Sequence, residues 1–145
     1  SLNLGLYYNS ELVSLMTFGI RGTNGKSEYE LIRFCSILNT SVIGGASKIF
    51  KYFINNFEYT KIVSYSDNCH SIGSIYEKLN FKKEALSKVN YYWIKNDRRY
   101  HRYTFNKKRL IKMGYDPNKT EVQIMHELGY YRIWGCGHIK WVYKK

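Results

Sequence analysis

The sequence predicts an α/β protein, a mixed β-sheet flanked by helices, and three observations carry that expectation. Strand-like segments rich in β-branched and aromatic residues alternate with segments of helical apolar spacing. Hydrophobic residues fill 44% and aromatic residues 17% of the 145 positions, enough for a packed core and too much for a disordered chain. A single proline beside 11 glycines excludes a Pro/Gly-rich tract. One core is expected for a chain of this length.

The elements follow in order. Leu4 to Tyr8 and Glu11 to Phe18 read as a hairpin about Asn9-Ser10. Gly19 to Ser27 (GIRGTNGKS) is a glycine-rich loop, and Tyr29 to Ser36 is a third strand whose Cys35 is expected in the core. Residues 39–45 (NTSVIGG) make a turn opening a helix from Ala46 to about Asn55, with Ile49, Phe50, Phe53 and Ile54 as its apolar stripe. Lys61 to Ser66 is a short buried strand. Ser71 to Leu79 is a second helix, with Ile72, Ile75 and Leu79 on one face. Val89 to Ile94 and Arg98 to Phe105 are strands around Lys95-Asn96-Asp97, and Lys107 to Met113 is a short basic helix. Asp116-Pro117 ends it, and Thr120-x-x-Gln123 is a capping box for a helix to Leu128. Tyr130 to Trp134 and His138 to Tyr143, across Gly135-Cys136-Gly137, read as a closing hairpin.

No apolar run is long enough to span a membrane and no secretory leader is visible, so no membrane partner is expected. Three scattered cysteines (Cys35, Cys69, Cys136) do not make a disulfide framework, which fits a reducing cytoplasm. The chain opens at Ser1 directly into strand-like sequence, which predicts a piece of a longer polypeptide.

Charge is distributed unevenly. Residues 1–81 hold seven Lys/Arg against six Asp/Glu, whereas residues 82–145 hold 16 against five, most of the net +12. The densest stretch carries Lys95, Arg98, Arg99, Arg102, Lys107, Lys108, Arg109 and Lys112 against Asp97 alone. Tyr100, His101, Tyr103 and Phe105 are interleaved with them. A phosphate backbone rewards this pattern through counterion release, and the rings offer stacking platforms. The bland reading is a solvated basic face. The asymmetry favours nucleic acid, DNA in the first instance.

Two segments carry chemistry. In Ser41-Val42-Ile43-Gly44-Gly45-Ala46-Ser47-Lys48, small residues before a helix let backbone N–H groups approach a phosphate. A tight turn without a ligand is the alternative, and neither a Walker loop nor a dinucleotide fingerprint is present. In Ser64-Tyr65-Ser66-Asp67, the carboxylate falls at the end of a central strand, where open α/β sheets place ligands. Tyr76 follows, in Gly73-Ser74-Ile75-Tyr76-Glu77-Lys78-Leu79-Asn80-Phe81, as either a core tyrosine or a proton donor. Cys69-His70 and Cys136-x-His138 lack Cys-x-x-Cys spacing, so no metal site is expected.

The order of these segments resembles the GNAT family of N-acetyltransferases over about residues 4–94. The family's pyrophosphate turn reads Arg/Gln-x-x-Gly-x-Gly/Ala and is matched by Ser41 to Ala46, with Ser41 in place of Arg or Gln. The helix ending Gly-x-x-Tyr-x-x-Leu-Gly-Phe is matched by Gly73 to Phe81, with Asn80 in place of glycine. "SYSD…GSIYEKLNF" is similar to the Mom-type branch, phage proteins that modify adenine in DNA, where a Tyr-x-Asp like Tyr65-Ser66-Asp67 ends the strand. It also resembles a GNAT-like domain at the carboxyl end of phage homing-endonuclease-like proteins, a likeness that extends to Gly129–Gly137.

The resemblance implies a GNAT-like core over residues 1–94, without the family's first strand and helix, and a basic α+β extension over 95–145 in the same domain. It implies acetyl-CoA as acyl donor, held by Ser41, Ile43, Gly44, Gly45, Ala46, Ser47 and Lys48. It further implies that Asp67, with Tyr65, handles the acceptor amine and that Tyr76 protonates the departing thiolate. The expected activity is acyl transfer to a nucleobase or other amine, in a host cytoplasm for a phage-encoded protein. The alternative is a non-catalytic DNA-binding module of a homing-endonuclease-like protein.

Overall fold

Asn9 and Ser10 both take left-handed backbone angles, φ 48° and 65°. Two such residues match a hairpin turn to the twist of its strands, and they join β1 (Leu2–Tyr8) to β2 (Glu11–Ile20) as expected. The computed structural model describes residues 1–21 and 27–145, so most of the expected glycine-rich loop, residues 22–26, lies outside the described residues. The chain continues through β3 (Glu28–Ser36), α1 (Gly45–Asn56), β4 (Lys61–Asp67), α2 (Ser74–Lys78) and β5 (Lys82–Leu86). It then runs through β6 (Tyr91–Lys95), β7 (Arg98–His101), a 3-10 turn at Arg102–Phe105, α3 (Lys107–Lys112) and α4 (Glu121–Glu127). The last strands are β8 (Tyr131–Trp134) and β9 (His138–Lys144).

The described residues form two units, one of Ser1–Ser87 with His138–Lys145 and one of Lys88–Gly137. The first contains a mixed sheet in the order β1-β2-β3-β4-β9-β5, in which β3 and β4 are the one parallel pair. The stripe of α1 supplies its core: Ile49, Phe50 and Phe53 are buried with Met16, Phe18, Leu31, Ile62 and Trp141. Phe53 stacks on Phe18 at 3.8 Å between ring centroids. Each such side chain contributes about 1.5–3 kcal/mol by leaving water.

In the second unit a sheet ordered β7-β6-β8 carries α3 and α4, and Trp93, Leu110, Ile124 and Met125 are buried together. The capping box forms as expected. Gln123 N–H donates to Thr120 Oγ1 at 3.3 Å, and Thr120 N–H donates to Gln123 Oε1 at 2.8 Å. Among the described residues no helix is long and apolar enough to cross a membrane.

Several expectations need correction. The closing hairpin is absent: β8 pairs with β6, and β9 pairs with β4 and β5. The reason is burial, because Ile139, Trp141 and Tyr143 alternate onto the face that packs in the α1 core. The units consequently divide at 87/88 and 137/138, whereas the sequence placed a boundary after 94, and each has its own buried cluster. The second helix starts at Ser74 rather than Ser71, because Gly73 is left-handed at φ 83°, and Ile72 is 82% exposed. Cys35 is exposed on β3. The strand expected to reach Phe105 stops at His101.

Candidate functional site

The parallel pair is the feature around which the candidate residues gather. β3 and β4 pair over only Glu28↔Lys61, Tyr29↔Ile62 and Glu30↔Val63. Past that point Ser64 Oγ donates to the Leu31 carbonyl at 2.6 Å, and no further ladder joins the strands. A bulge in β3 helps them part: Thr17 faces Arg33 and Phe18 faces Leu31, leaving Ile32 extra. The carboxyl ends of both strands thus carry backbone groups on facing, unzipped edges, the place where α/β sheets accept ligands.

From the end of β3 the chain enters the 41–48 turn. Gly44 is left-handed at φ 70°, with open space where a Cβ would sit, so its glycine is required by backbone angle rather than by crowding. Gly45 is closely packed: a Cβ there would lie 3.0 Å from Ser14 Oγ and Val42 Cγ1, so those side chains would have to give by a few tenths of an ångström. No side chain caps α1 and no acidic residue sits in its first turn. The Gly45 N–H is taken by the Val42 carbonyl at 3.1 Å, and the Ala46 and Ser47 N–H groups that follow remain open to an outside acceptor. Two clefts of about 380 and 350 Å³ adjoin the turn, and Lys48 lines both. Ser41 and Ile43 line the second.

At the end of β4, Asp67 accepts from the Cys69 N–H at 2.9 Å. That hydrogen bond, helped less by the nearby His138, holds its carboxyl below the ordinary carboxylate range. His138 is its cross-strand partner, with Nε2 4.0 Å from Oδ2. Two strand positions earlier, on the same face, Tyr65 faces Lys140, and its hydroxyl accepts from the Arg21 guanidinium at 3.2 Å. Arg21 is also 3.7 Å from Glu30, and Lys140 pairs with Glu84.

Tyr76 reaches the same strand end from α2. Its hydroxyl lies 3.5 Å from the Tyr65 carbonyl, the outer limit of a hydrogen bond, so the phenol is nearly unspent. The ring is fixed instead: it stacks on Trp141 at 5.6 Å and meets Phe81 edge-on at 5.7 Å. Trp141 is anchored by donating Nε1–H to Ser66 Oγ at 2.9 Å. Gly73 permits the approach of α2, since a Cβ there would fall 2.5 Å from the indole. Asn80 takes φ 62°, the conformation a glycine would supply, and Phe81 N–H closes back on the Tyr76 carbonyl at 2.9 Å.

At this strand end Tyr76 meets the Tyr65 carbonyl from the Trp141 face, while the side chains of Tyr65 and Asp67 lie on the opposite face with Arg21, Lys140 and His138, none of which the sequence reading placed here. The 41–48 turn lies at the neighbouring strand end, with no hydrogen bond or ring contact to that group among the described residues. The same residues contain no cluster of three or more potential metal ligands. Asp67 also gives a pH signature. Its lowered pKa means that the ionised form stabilises the fold at neutral pH, and this contribution is lost as pH falls through that lowered value. Asp67→Asn should therefore slightly lower Tm at pH 7, with the difference from wild type closing toward pH 2 in thermal melts.

In the second unit the basic residues play unequal parts. Lys95 donates to the Leu128 carbonyl at 2.7 Å at the end of α4 and lies over the Tyr130 ring, so its charge serves the fold. Lys107, Lys108, Arg109 and Lys112 are exposed on α3, beside exposed Arg98 and Arg99. Arg102 is half-buried. Among known proteins, no family model and no curated sequence matches this chain.

Proposed function

We propose that the first unit is a GNAT-like acyltransferase site using acetyl-CoA, and that the basic second unit holds nucleic acid, preferably DNA, whose base or other amine accepts the acyl group. The observation that carries this reading is the parting of β3 and β4, with an uncapped, acid-free helix start beyond one strand and Tyr76, Asp67 and His138 beyond the other. The fit to the donor is chemical. A pyrophosphate needs open N–H donors and a cation, which Ala46, Ser47 and Lys48 supply behind the Gly44-Gly45 turn. An amide-containing arm needs unpaired strand edges, which β3 and β4 offer.

Acetyl-CoA supplies an activated thioester carbonyl. Of the chain's own groups, Tyr76 holds a proton on a hydroxyl that no strong partner claims, suited to donation to a departing thiolate. Asp67 is a poor base, because its carboxyl is held below the usual range. Its role is to orient His138 and stabilise the imidazolium formed when that ring takes the acceptor's proton. Tyr65, with Arg21 and Lys140 beside it, lines the acceptor side. The second reading, a DNA-binding module without catalysis, draws on the basic excess alone.

Incubation with radiolabelled acetyl-CoA and DNA separates the two. The transferase predicts label in the nucleic acid and one free thiol released per acyl group transferred. Binding of DNA with neither label nor thiol release would overturn it and leave the module.

A further inference from the structure

The outer face of the three-stranded sheet carries a run of rings and guanidinium groups. Trp93 and its cross-strand partner Tyr100 point toward the buried cluster, so Tyr92, Arg99 and His101 occupy the opposite face. Arg99 lies over the Tyr92 ring at 4.5 Å, and Tyr92 meets His101 at 5.8 Å. His101 meets Tyr103 at 5.2 Å, and Arg102 lies over Tyr103 at 4.7 Å. Arg109 completes the run by donating to the Tyr103 carbonyl at 3.2 Å. Tyr103 is 59% exposed, although burying an aromatic ring is favourable.

We propose that this track binds unpaired nucleotides, bases stacking on Tyr103 and Tyr92 while Arg99, Arg102 and Arg109 hold phosphates. The inference rests on the nucleic-acid half of the reading above and names its form. Half-buried Arg102 also donates to the Tyr103 hydroxyl at 2.9 Å, whereas the stack of exposed Arg99 on the Tyr92 ring is a weak contact. A base in its place gains a larger stacking area and frees the cation for a phosphate. Charge favours the same ligand, because the unit's carboxylates are mostly engaged: Tyr91 donates to Glu121, Lys119 pairs with Glu127, and Asn118 N–H donates to Asp116. Duplex bases hide their faces from such rings. The six-residue α3, about 9 Å long, offers a short reading element for a major groove.

Fluorescence anisotropy of the intact protein tests this with labelled dT12, rU12, a 12-base-pair duplex and a polyglutamate peptide of matched charge. Either single strand should bind about tenfold tighter than the duplex or the peptide, and the better of dT12 and rU12 identifies the sugar. Tyr103→Leu should weaken single-strand binding about tenfold at unchanged salt slope, and Tyr103→Phe should restore it. Arg99→Gln with Arg102→Gln should lower the slope by about 1.4, the loss of two phosphate contacts on a single strand. Duplex or peptide binding equal to dT12, or a neutral Tyr103→Leu, overturns the track. DNA binding that survives those results leaves the broader reading standing, and no binding to any nucleic acid ends both.

Discussion

Tyr76→Phe should cut the rate of acyl transfer by about 10²–10⁴-fold, the usual worth of a positioned proton donor, or about 3–5 kcal/mol of barrier. The substitution removes only the hydroxyl. The ring keeps its stack on Trp141 and its edge contact with Phe81, so the fold and α2 stay in place. The hydroxyl's one contact, 3.5 Å from the Tyr65 carbonyl, is too long to contribute much stability. Acetyl-CoA affinity should be unchanged, which places the loss in kcat rather than KM. Steady-state kinetics with thiol detection makes the measurement. An unchanged kcat would return Tyr76 to the role of a core tyrosine with its hydroxyl at the rim.

Local signals made much of the fold legible. Asn9-Ser10, the stripe of Ile49, Phe50 and Phe53, and the Thr120–Gln123 box act through neighbours in sequence, and the expected hairpin, helix and cap are found there. What escaped is non-local or weakly patterned. β5 reads Lys82-Lys83-Glu84-Ala85-Leu86, exposed throughout, because a charged edge strand needs no apolar alternation. β9 was assigned to a neighbour in sequence, whereas its apolar residues are buried only beside β4, more than 70 positions earlier.

The candidate site divides the same way. Tyr65, Asp67 and Tyr76 lie in one short stretch around a strand end, so sequence order alone suggested that they share it. His138 became visible only through the register that sets it opposite Asp67. Its sequence signal, a histidine opening a strand after Gly135-Cys136-Gly137, pointed equally to a hairpin. The departures at Ser41 and Asn80 differ in kind. Asn80 keeps the left-handed angle a glycine would give, whereas Ser41 supplies no positive charge, leaving Lys48 as the cation of the turn.

The most direct measurement is a calorimetric titration of acetyl-CoA into wild type and Ser47→Glu. Ser47 is exposed in the first turn of α1, where a carboxylate is favoured by about 0.3–1 kcal/mol, so the variant should melt no lower than wild type. The same charge would face the pyrophosphate across the open N–H groups. Saturable micromolar binding to wild type, weakened at least a hundredfold in Ser47→Glu at equal or higher Tm, is the predicted result. Equal binding by both proteins, or no binding by folded wild type, would contradict a coenzyme site on this turn.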